Sequence, residues 1–318
     1  MQVKLKVNNG QPKSTLKSMK NLIIRERYWE LYLMLVPSVL ILIIFKYVPM
    51  NGLIIAFQQY NIFDGILKSP FIGMENFKEL FNNQEFYTVF RNTLLINSYK
   101  LLFYIPIPVL LALFINDVKN AAVRKAIQTT IYLPHFLSWV IVGGIFVNVL
   151  AVNGGIVNNL IVALGGEPLK FMYDKSLFRG VLITSSIWKE AGWATVIYLA
   201  AIAGVDLQMY EAAVIDGASK IKQIWYITLP SISTTIILVL LMSLGNILTN
   251  SFEQILVMYN PSVYEVADVI NTYVYRHGVG QMEYSYTTAV GLFNSVVGFA
   301  LVMSTNSICR KYLDRSLW

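Results

Sequence analysis

Residues 32–57 read Tyr32-Leu-Met-Leu-Val-Pro-Ser-Val-Leu-Ile-Leu-Ile-Ile-Phe-Lys-Tyr-Val-Pro-Met-Asn-Gly-Leu-Ile-Ile-Ala-Phe57, with Lys46 as the only charge. A helix that crosses a hydrocarbon core of about 30 Å needs about 20 mostly apolar residues, so this run is long enough to span a membrane. Pro49 lies inside it and predicts a kink or a break. Five further stretches qualify, at 92–115, 131–152, 178–203, 232–250 and 286–308. The second contains Pro106 and Pro108, which lipid tolerates only where neighbouring helices or side chains satisfy the freed carbonyls. The runs are continuous rather than alternating, which excludes a membrane β-barrel. The predicted fold class is therefore all-α, a polytopic membrane protein with six transmembrane helices.

Composition agrees. Of 318 residues, 56% are hydrophobic and 14% charged, against about 45–50% and about 25% in an average soluble domain. That balance excludes a soluble globular protein, a disordered chain and a coiled coil. The net charge of +7 would suggest an anionic partner in a soluble protein. Here it reflects loops that hold Lys and Arg on one side of a membrane, with no nucleic acid implied. The single cysteine, Cys309, excludes an internal disulfide framework and any Cys-rich metal site.

The positions of the cations set the orientation. The amino-terminal tail and the loops on its side carry 15 of the 25 Lys and Arg residues, and the opposite loops carry at most seven. Both termini are expected in the cytoplasm of a bacterium, with the protein in its cytoplasmic membrane. Residues 1–28 form a basic cytoplasmic tail ahead of a six-helix transmembrane domain over 29–318. The basic region is too long for a cleaved signal peptide, and no small-residue cleavage site follows the first apolar run.

Three outer loops, 58–89, 153–177 and 251–285, exceed the 2–8 residues that typically join bundled helices. Their aromatics, such as Phe63, Phe71, Phe77, Phe81, Phe86 and Tyr87, read either as interfacial anchors or as a docking surface for something outside the cell. Asn153-Gly154-Gly155 and Gly165-Gly166 are placed to break a helix that dips into the outer face.

The loop over 206–230, between spans four and five, is the most informative. Asp206 is a good N-cap for a short helix through Ile215. Gly217 permits a sharp turn, Ser219 is placed to cap a second short helix, and Pro230 is expected to close it. Ile221, Ile224, Trp225 and Ile227 make an apolar face, while Glu211, Asp216, Lys220 and Lys222 stay polar. An amphipathic connector lying on the bilayer is the alternative reading.

Glu211-Ala212-Ala213, Asp216-Gly217-Ala218 and Ile227-x-Leu229-Pro230 resemble the EAA loop of permease subunits in bacterial ABC importers. Trp225 stands where that family often has phenylalanine. Trp188-Lys-Glu-Ala-Gly-Trp193 and Tyr198-Leu-Ala-Ala201 resemble the maltose-permease-like, carbohydrate-uptake branch of the binding-protein-dependent transport inner membrane components. The segment 47–57 and Gly73-Met-Glu-Asn-Phe77 resemble its LplB-like members, which import oligosaccharides and polysaccharide fragments.

The resemblance implies that Glu211, Ala212, Ala213, Asp216, Gly217, Ala218, Trp225, Ile227, Leu229 and Pro230 couple to a separate cytoplasmic ATPase. Small residues allow close approach, Gly217 turns the corner and Glu211 anchors. It also implies two ATPase subunits, a second homologous permease giving a heterodimer, an extracellular solute-binding protein and an oligosaccharide substrate. No cofactor is expected in this chain. It has no G-x-x-x-x-G-K-[ST] loop, so ATP and Mg would be bound by the partner ATPase, and the chain itself is not an enzyme. Neither His135 nor His277 has a metal-ligand partner at helical spacing, so no metal site is expected.

Polar groups inside spans usually face a cavity or the bundle interior. Ser186, Glu190 and Trp193 fall at i, i+4 and i+7, and Ser243, Asn246 and Asn250 at i, i+3 and i+7, with Glu253 continuing the stripe. The family places sugar contacts in these spans; interhelical hydrogen bonding is the other role open to such groups. Lys189 is a candidate partner for a substrate carboxylate, although it could instead pair with Glu190 or snorkel to the interface. His135 and Trp139 form another candidate lining face. The competing function is a secondary sugar transporter or channel driven by an ion gradient, working without an ATPase. No paired broken helices of the kind that hold an ion site are evident in the sequence.

Overall fold

The computed structural model describes residues 29–245 and 251–313, and those residues are helical almost throughout. The basic tail over 1–28 lies outside the described residues, as do Asn246 and Asn250. The chain divides into two units after Ile54.

In the first unit, helix α1 (Trp29–Leu42) passes into a π-helical turn, Ile43–Tyr47, and then a tighter 3-10 stretch that begins at Val48. The change of winding falls where Pro49 was expected to disturb the helix, because proline cannot donate the bond that a regular helix would require.

The second unit opens on a loop holding α2 (Glu75–Asn82), followed by the long α3 (Gln84–Tyr104) and α4 (Pro106–Asp117). Pro106 occupies the first position of α4, where its missing N–H costs nothing. Next come α5 (Ala121–Tyr132), α6 (Trp139–Val149), the short α7 (Ile156–Ala163) and the 29-residue α8 (Lys175–Ala203). After α8 stand α9 (Leu207–Ile215), α10 (Lys220–Gln223), α11 (Leu229–Gly245), α12 (Phe252–Met258), α13 (Ile270–Tyr275) and α14 (Tyr284–Leu313).

Four helices among the described residues are long and apolar enough to cross a membrane, and six if each of two bent pairs counts as one span. The correction concerns the third span. The run 131–152 is not straight: helix through Phe136 meets α6 at 104°. Pro134 sits in a 3-10 turn, and the Ser138 hydroxyl accepts the Ile141 N–H to start α6 afresh.

Pro230 also acts differently from the expectation that it ends a helix. Residues Lys220–Leu244 form one continuous helix. A π turn at Ile224–Thr228 closes with Leu229 N–H donating to Ile224 O, which widens the helix just before the proline ring must pass.

Between lipid-facing helices apolar burial drives little, since lipid is as apolar as the side chains, so polar groups select the inward faces. Leu102, Phe103, Leu110 and Phe114 are exposed on α3 and α4, whereas Asn97, Val109 and Ala112 turn inward. One packed core joins Val109, Ala112, Tyr198, Ile202, Ile232 and Val239. A second joins Ile96, Phe178, Val181, Leu182, Ile255 and Met258. Residues 97–104 of α3 and 186–197 of α8 therefore run between two packed layers.

The three loops expected outside converge at one end of this unit. Arg179 donates to Val266 O at 3.0 Å and to Asn92 Oδ1 at 2.8 Å. Asn260 donates to Met172 O at 2.7 Å, and Lys175 pairs with Glu265. Phe77 and Phe86 are buried in packing, while Phe63, Phe71, Phe81 and Tyr87 stay exposed. Gly155 caps α7 and Gly165-Gly166 end it, so the glycines flank a short helix rather than interrupt one. At the opposite end, Lys220 pairs with Asp117.

Helices α8 and α5 touch backbone to backbone at Gly192, where a Cβ would lie 1.8 Å from Ile131 O. Gly192→Ala must therefore push two helices apart, and overpacking typically costs about 1–3 kcal/mol. The expected result is a clear drop in the melting temperature of the detergent-solubilised protein, read by size-exclusion chromatography after heating.

Candidate functional site: a polar cavity and an exposed helical hairpin

A cavity of about 400 Å³ lies between the two packed layers, within the roughly 300–1,000 Å³ range of small-molecule sites. Its lining comes from four helices. Asn97, Lys100, Leu101 and Tyr104 stand on α3, Trp139 on α6, and Ser186, Glu190, Trp193 and Ile197 on α8. Val239, Met242 and Ser243 complete it from α11. On α3, α8 and α11 the lining residues recur at helical spacing, hence from one face of each, and α6 adds Trp139 alone.

Four of the sequence-predicted pathway residues, Ser186, Glu190, Trp193 and Ser243, are brought together here, along with Trp139. Glu190 is fixed on two sides: His135 Nδ1 lies 2.8 Å from Oε2, and Lys189 Nζ lies 3.2 Å from Oε1. His135 also stacks flat on Trp193, with ring centres 4.8 Å apart and planes 5° from parallel. His135 thus positions both a carboxylate and an aromatic wall.

Two expectations need correction. Lys189 does not line the cavity. It is buried behind the wall, donating to His135 O at 2.8 Å and lying 5.5 Å from the centre of the Trp139 ring. Trp188 packs edge-on against Phe146 of α6 and Glu190 lines the cavity, and between them the helical twist turns Lys189 toward the turn at His135 and the start of α6. Glu253 is exposed on α12 and does not extend the stripe. The short α12 buries Gln254, Ile255 and Met258 instead, which turns Glu253 outward.

Sequence reasoning set Lys100 aside, its role as ambiguous as that of Lys189, and missed Asn97, Leu101, Tyr104 and Met242. The Lys100 ammonium donates to Ser251 Oγ at 2.8 Å and to Gln254 Oε1. Ser251 donates onward to Asn97 Oδ1 at 2.7 Å, and Gln254 Nε2 donates to Ser185 Oγ at 2.8 Å. The spacing of Asn97, Lys100 and Tyr104 at i, i+3 and i+7 was the available signal.

The hairpin at the far end of α8 is built as its sequence dictates. The Asp206 carboxylate accepts the Gln208 N–H at 2.9 Å and caps α9. Helix α9 bends 70° from α8. It ends in a Schellman motif: Ala218 N–H donates to Ala213 O at 2.8 Å and Gly217 N–H to Val214 O at 3.0 Å. Gly217 takes the left-handed φ of +72° that this turn requires. Ser219 stands at the next N-cap position, without a side-chain cap hydrogen bond. Tyr210 and Thr228 share a hydroxyl hydrogen bond of 2.8 Å, which ties the two arms of the hairpin together. Glu211, Ala212, Asp216, Gly217, Ile221, Trp225 and Pro230 are exposed, while Ala213, Ala218, Ile227 and Leu229 are half-buried.

A multi-pass helical bundle with a polar, aromatic-walled cavity inside it and an exposed hairpin at the end of a cavity-lining helix defines a membrane transport subunit. Residues 104–316 match the family described as binding-protein-dependent transport system inner membrane component, and the chain belongs to that family. It is 46% identical over 288 residues to Protein LplB of Bacillus subtilis (strain 168), covering 91% of each chain. Over 296 residues it is 44% identical to the polygalacturonan/rhamnogalacturonan transport system permease protein YteP of the same organism, covering 93% of this chain and 92% of that one.

Among solved structures, a bacterial ABC transporter chain involved in import of the acidic polysaccharide alginate aligns with a TM-score of 0.86 and 42% identity. The match covers 93% of this chain and 99% of that one. The bacterial alginate ABC transporter in complex with an alginate pentasaccharide-bound periplasmic protein aligns equally well, with a TM-score of 0.86 and 41% identity over 95% of this chain and 99% of the other. The fold is that of an ABC importer permease.

Proposed function

We propose that this chain is the permease subunit of an ATP-driven importer for oligosaccharides or polysaccharide fragments handed over by an extracellular binding protein. The observation that carries this reading is the cavity, whose Trp139 and Trp193 rings, Ser186 and Ser243 hydroxyls and Glu190 carboxylate suit a sugar's apolar faces and hydroxyl groups. The hairpin over 206–230 docks into a separate ATPase, which binds ATP and Mg, and the termini lie in the cytoplasm. Two such ATPases and a second, homologous permease complete the assembly. The converged loops at the opposite end receive the binding protein. The rigid 29-residue α8 lines the cavity and leads into the hairpin, so movement of one is felt at the other.

Membrane vesicles holding the complete complex test the reading. Uptake of the saccharide is expected only with ATP on the hairpin side and loaded binding protein on the other, and to persist when ion gradients are collapsed with ionophores. Uptake that survives removal of the ATPase subunit and vanishes with the gradient would establish a secondary transporter instead. Within that assay, Trp193→Ala is expected to lower uptake about tenfold or more by removing a stacking wall and the seat of His135. Binding of the saccharide to the isolated binding protein should not change.

A further inference from the structure

Among the described residues of the second unit, Lys100 and Lys189 lie at or behind the cavity wall, and their surroundings differ. Lys189 is matched to a carboxylate, since Glu190 lies 3.2 Å away. Lys100 is held by neutral oxygens, those of Ser251 and Gln254. Both of these acceptors are themselves fixed, Ser251 by Asn97 and Gln254 by Leu182 O and Ser185. An ammonium has three donors, so this cradle occupies two of them. Among the described residues no carboxylate lies within ion-pair distance of Lys100. Glu190 is the carboxylate on the cavity lining, and it is already bound to Lys189 and His135.

A cation at this depth is costly unless it finds an opposite charge. The protein supplies a cradle of dipoles that orients Lys100 and leaves its countercharge to come from elsewhere. The opposite wall has the complementary chemistry: Glu190 and Ser186 accept or share hydroxyl hydrogen bonds, and Trp139 and Trp193 offer flat faces.

Granted the importer reading above, we propose that Lys100 is the specificity-determining residue of the path, taking the carboxylate of a uronic-acid unit as the saccharide crosses the cavity. The arrangement selects for acidic saccharides because a neutral sugar leaves the Lys100 ammonium without a direct ion pair. Lys189, buried behind Glu190, supports the wall and does not read the substrate.

The test compares uptake of an oligouronide with uptake of the same oligosaccharide after its carboxyl groups have been reduced to neutral alcohols. Both are presented to vesicles holding the complete complex, at concentrations that saturate the binding protein. The readout is the ratio of acidic to neutral uptake, which does not depend on how much complex assembles. The wild-type ratio should favour the acid. Lys100→Met and Lys100→Gln are expected to lower it about tenfold to a hundredfold, the equivalent of one charge-assisted hydrogen bond. Lys100→Arg should keep it within a few-fold of wild type. Lys189→Met is expected to reduce both uptakes alike. A ratio unchanged in Lys100→Met and Lys100→Gln overturns the assignment while leaving the importer reading intact. Failure of the wild-type complex to import either saccharide overturns the importer reading itself.

Discussion

Gly217→Val is expected to abolish ATP-driven uptake while leaving the cavity able to hold its ligand. No atom lies within 4 Å of a Cβ built on Gly217, so crowding is not the reason. The reason is the backbone, whose φ of +72° a β-branched residue resists; the left-handed conformation alone costs roughly 1–2 kcal/mol. Relief of that strain breaks the paired bonds from Gly217 to Val214 and from Ala218 to Ala213, and α9 loses its fixed angle to α10. Glu211, Ala212 and Asp216, exposed on one side of that corner, then no longer present a single surface with Ile221 and Trp225 on the other. Gly217→Asn is the matching control, since asparagine visits the left-handed region readily, and it should retain most uptake. On the proposed docking of this hairpin into an ATPase, Glu211→Ala removes the proposed anchoring charge and is expected to weaken that assembly by about 2–5 kcal/mol. ATPase activity stimulated by loaded binding protein, measured beside uptake, separates lost coupling from lost assembly. Wild-type uptake in Gly217→Val would refute the coupling role of this loop.

The hairpin was the most legible part of the chain because its determinants are local. Asp206, Gly217 and the spacing between them act through bonds that span no more than six residues, and each bond appears in the structure. The stripe on α8 was legible for a similar reason, since residues on one face of a helix stay together wherever that helix goes. What could not be read was which stripe meets which. Lys100 lies on a face as regular as that of Ser186 and Glu190, yet its significance depends on Ser251 and Gln254, some 150 residues away. The sequence left Lys189 open between a substrate carboxylate and Glu190, and the structure pairs it with Glu190; its further bond to His135 O needs the 104° bend between α5 and α6. Hydropathy saw one apolar run there and could not register the bend. Pro230 misled for a related reason: a proline ends a regular helix, but a preceding π turn changes the geometry it has to fit.

Arg276→Met is expected to unfasten the layer in which the three long loops meet. The Arg276 guanidinium donates from Nη2 to Glu85 Oε1 and to Asp268 Oδ2, each at 2.7 Å, joining the start of α3 to the third loop. It also lies 5.5 Å from the ring centres of Tyr264 and Tyr273. Burial disfavours its charge, but its hydrogen bonds to Asp268 and Glu85 outweigh burial and hold its pKa above the ordinary arginine value. The critical partner is Asp268, whose side chain is 3% exposed. Without the arginine that carboxylate keeps the Thr272 hydroxyl at 2.6 Å but loses its countercharge. Breaking one side of a buried ion pair typically costs about 3–5 kcal/mol, most of it the penalty of the stranded charge. A large fall in melting temperature should follow, together with loss of binding-protein-stimulated ATPase activity, because Glu85, Asp268 and the residues around them no longer share one frame. Adding Asp268→Asn to Arg276→Met removes the stranded charge and should recover part of the lost stability. If the single variant melts with the wild type, or if the second substitution lowers the melting point further, the pair is not what holds the loops. A carboxylate this deeply buried needs a cation, which the third loop supplies from within itself, and the second contact of the same guanidinium, to Glu85, ties that loop to the start of α3.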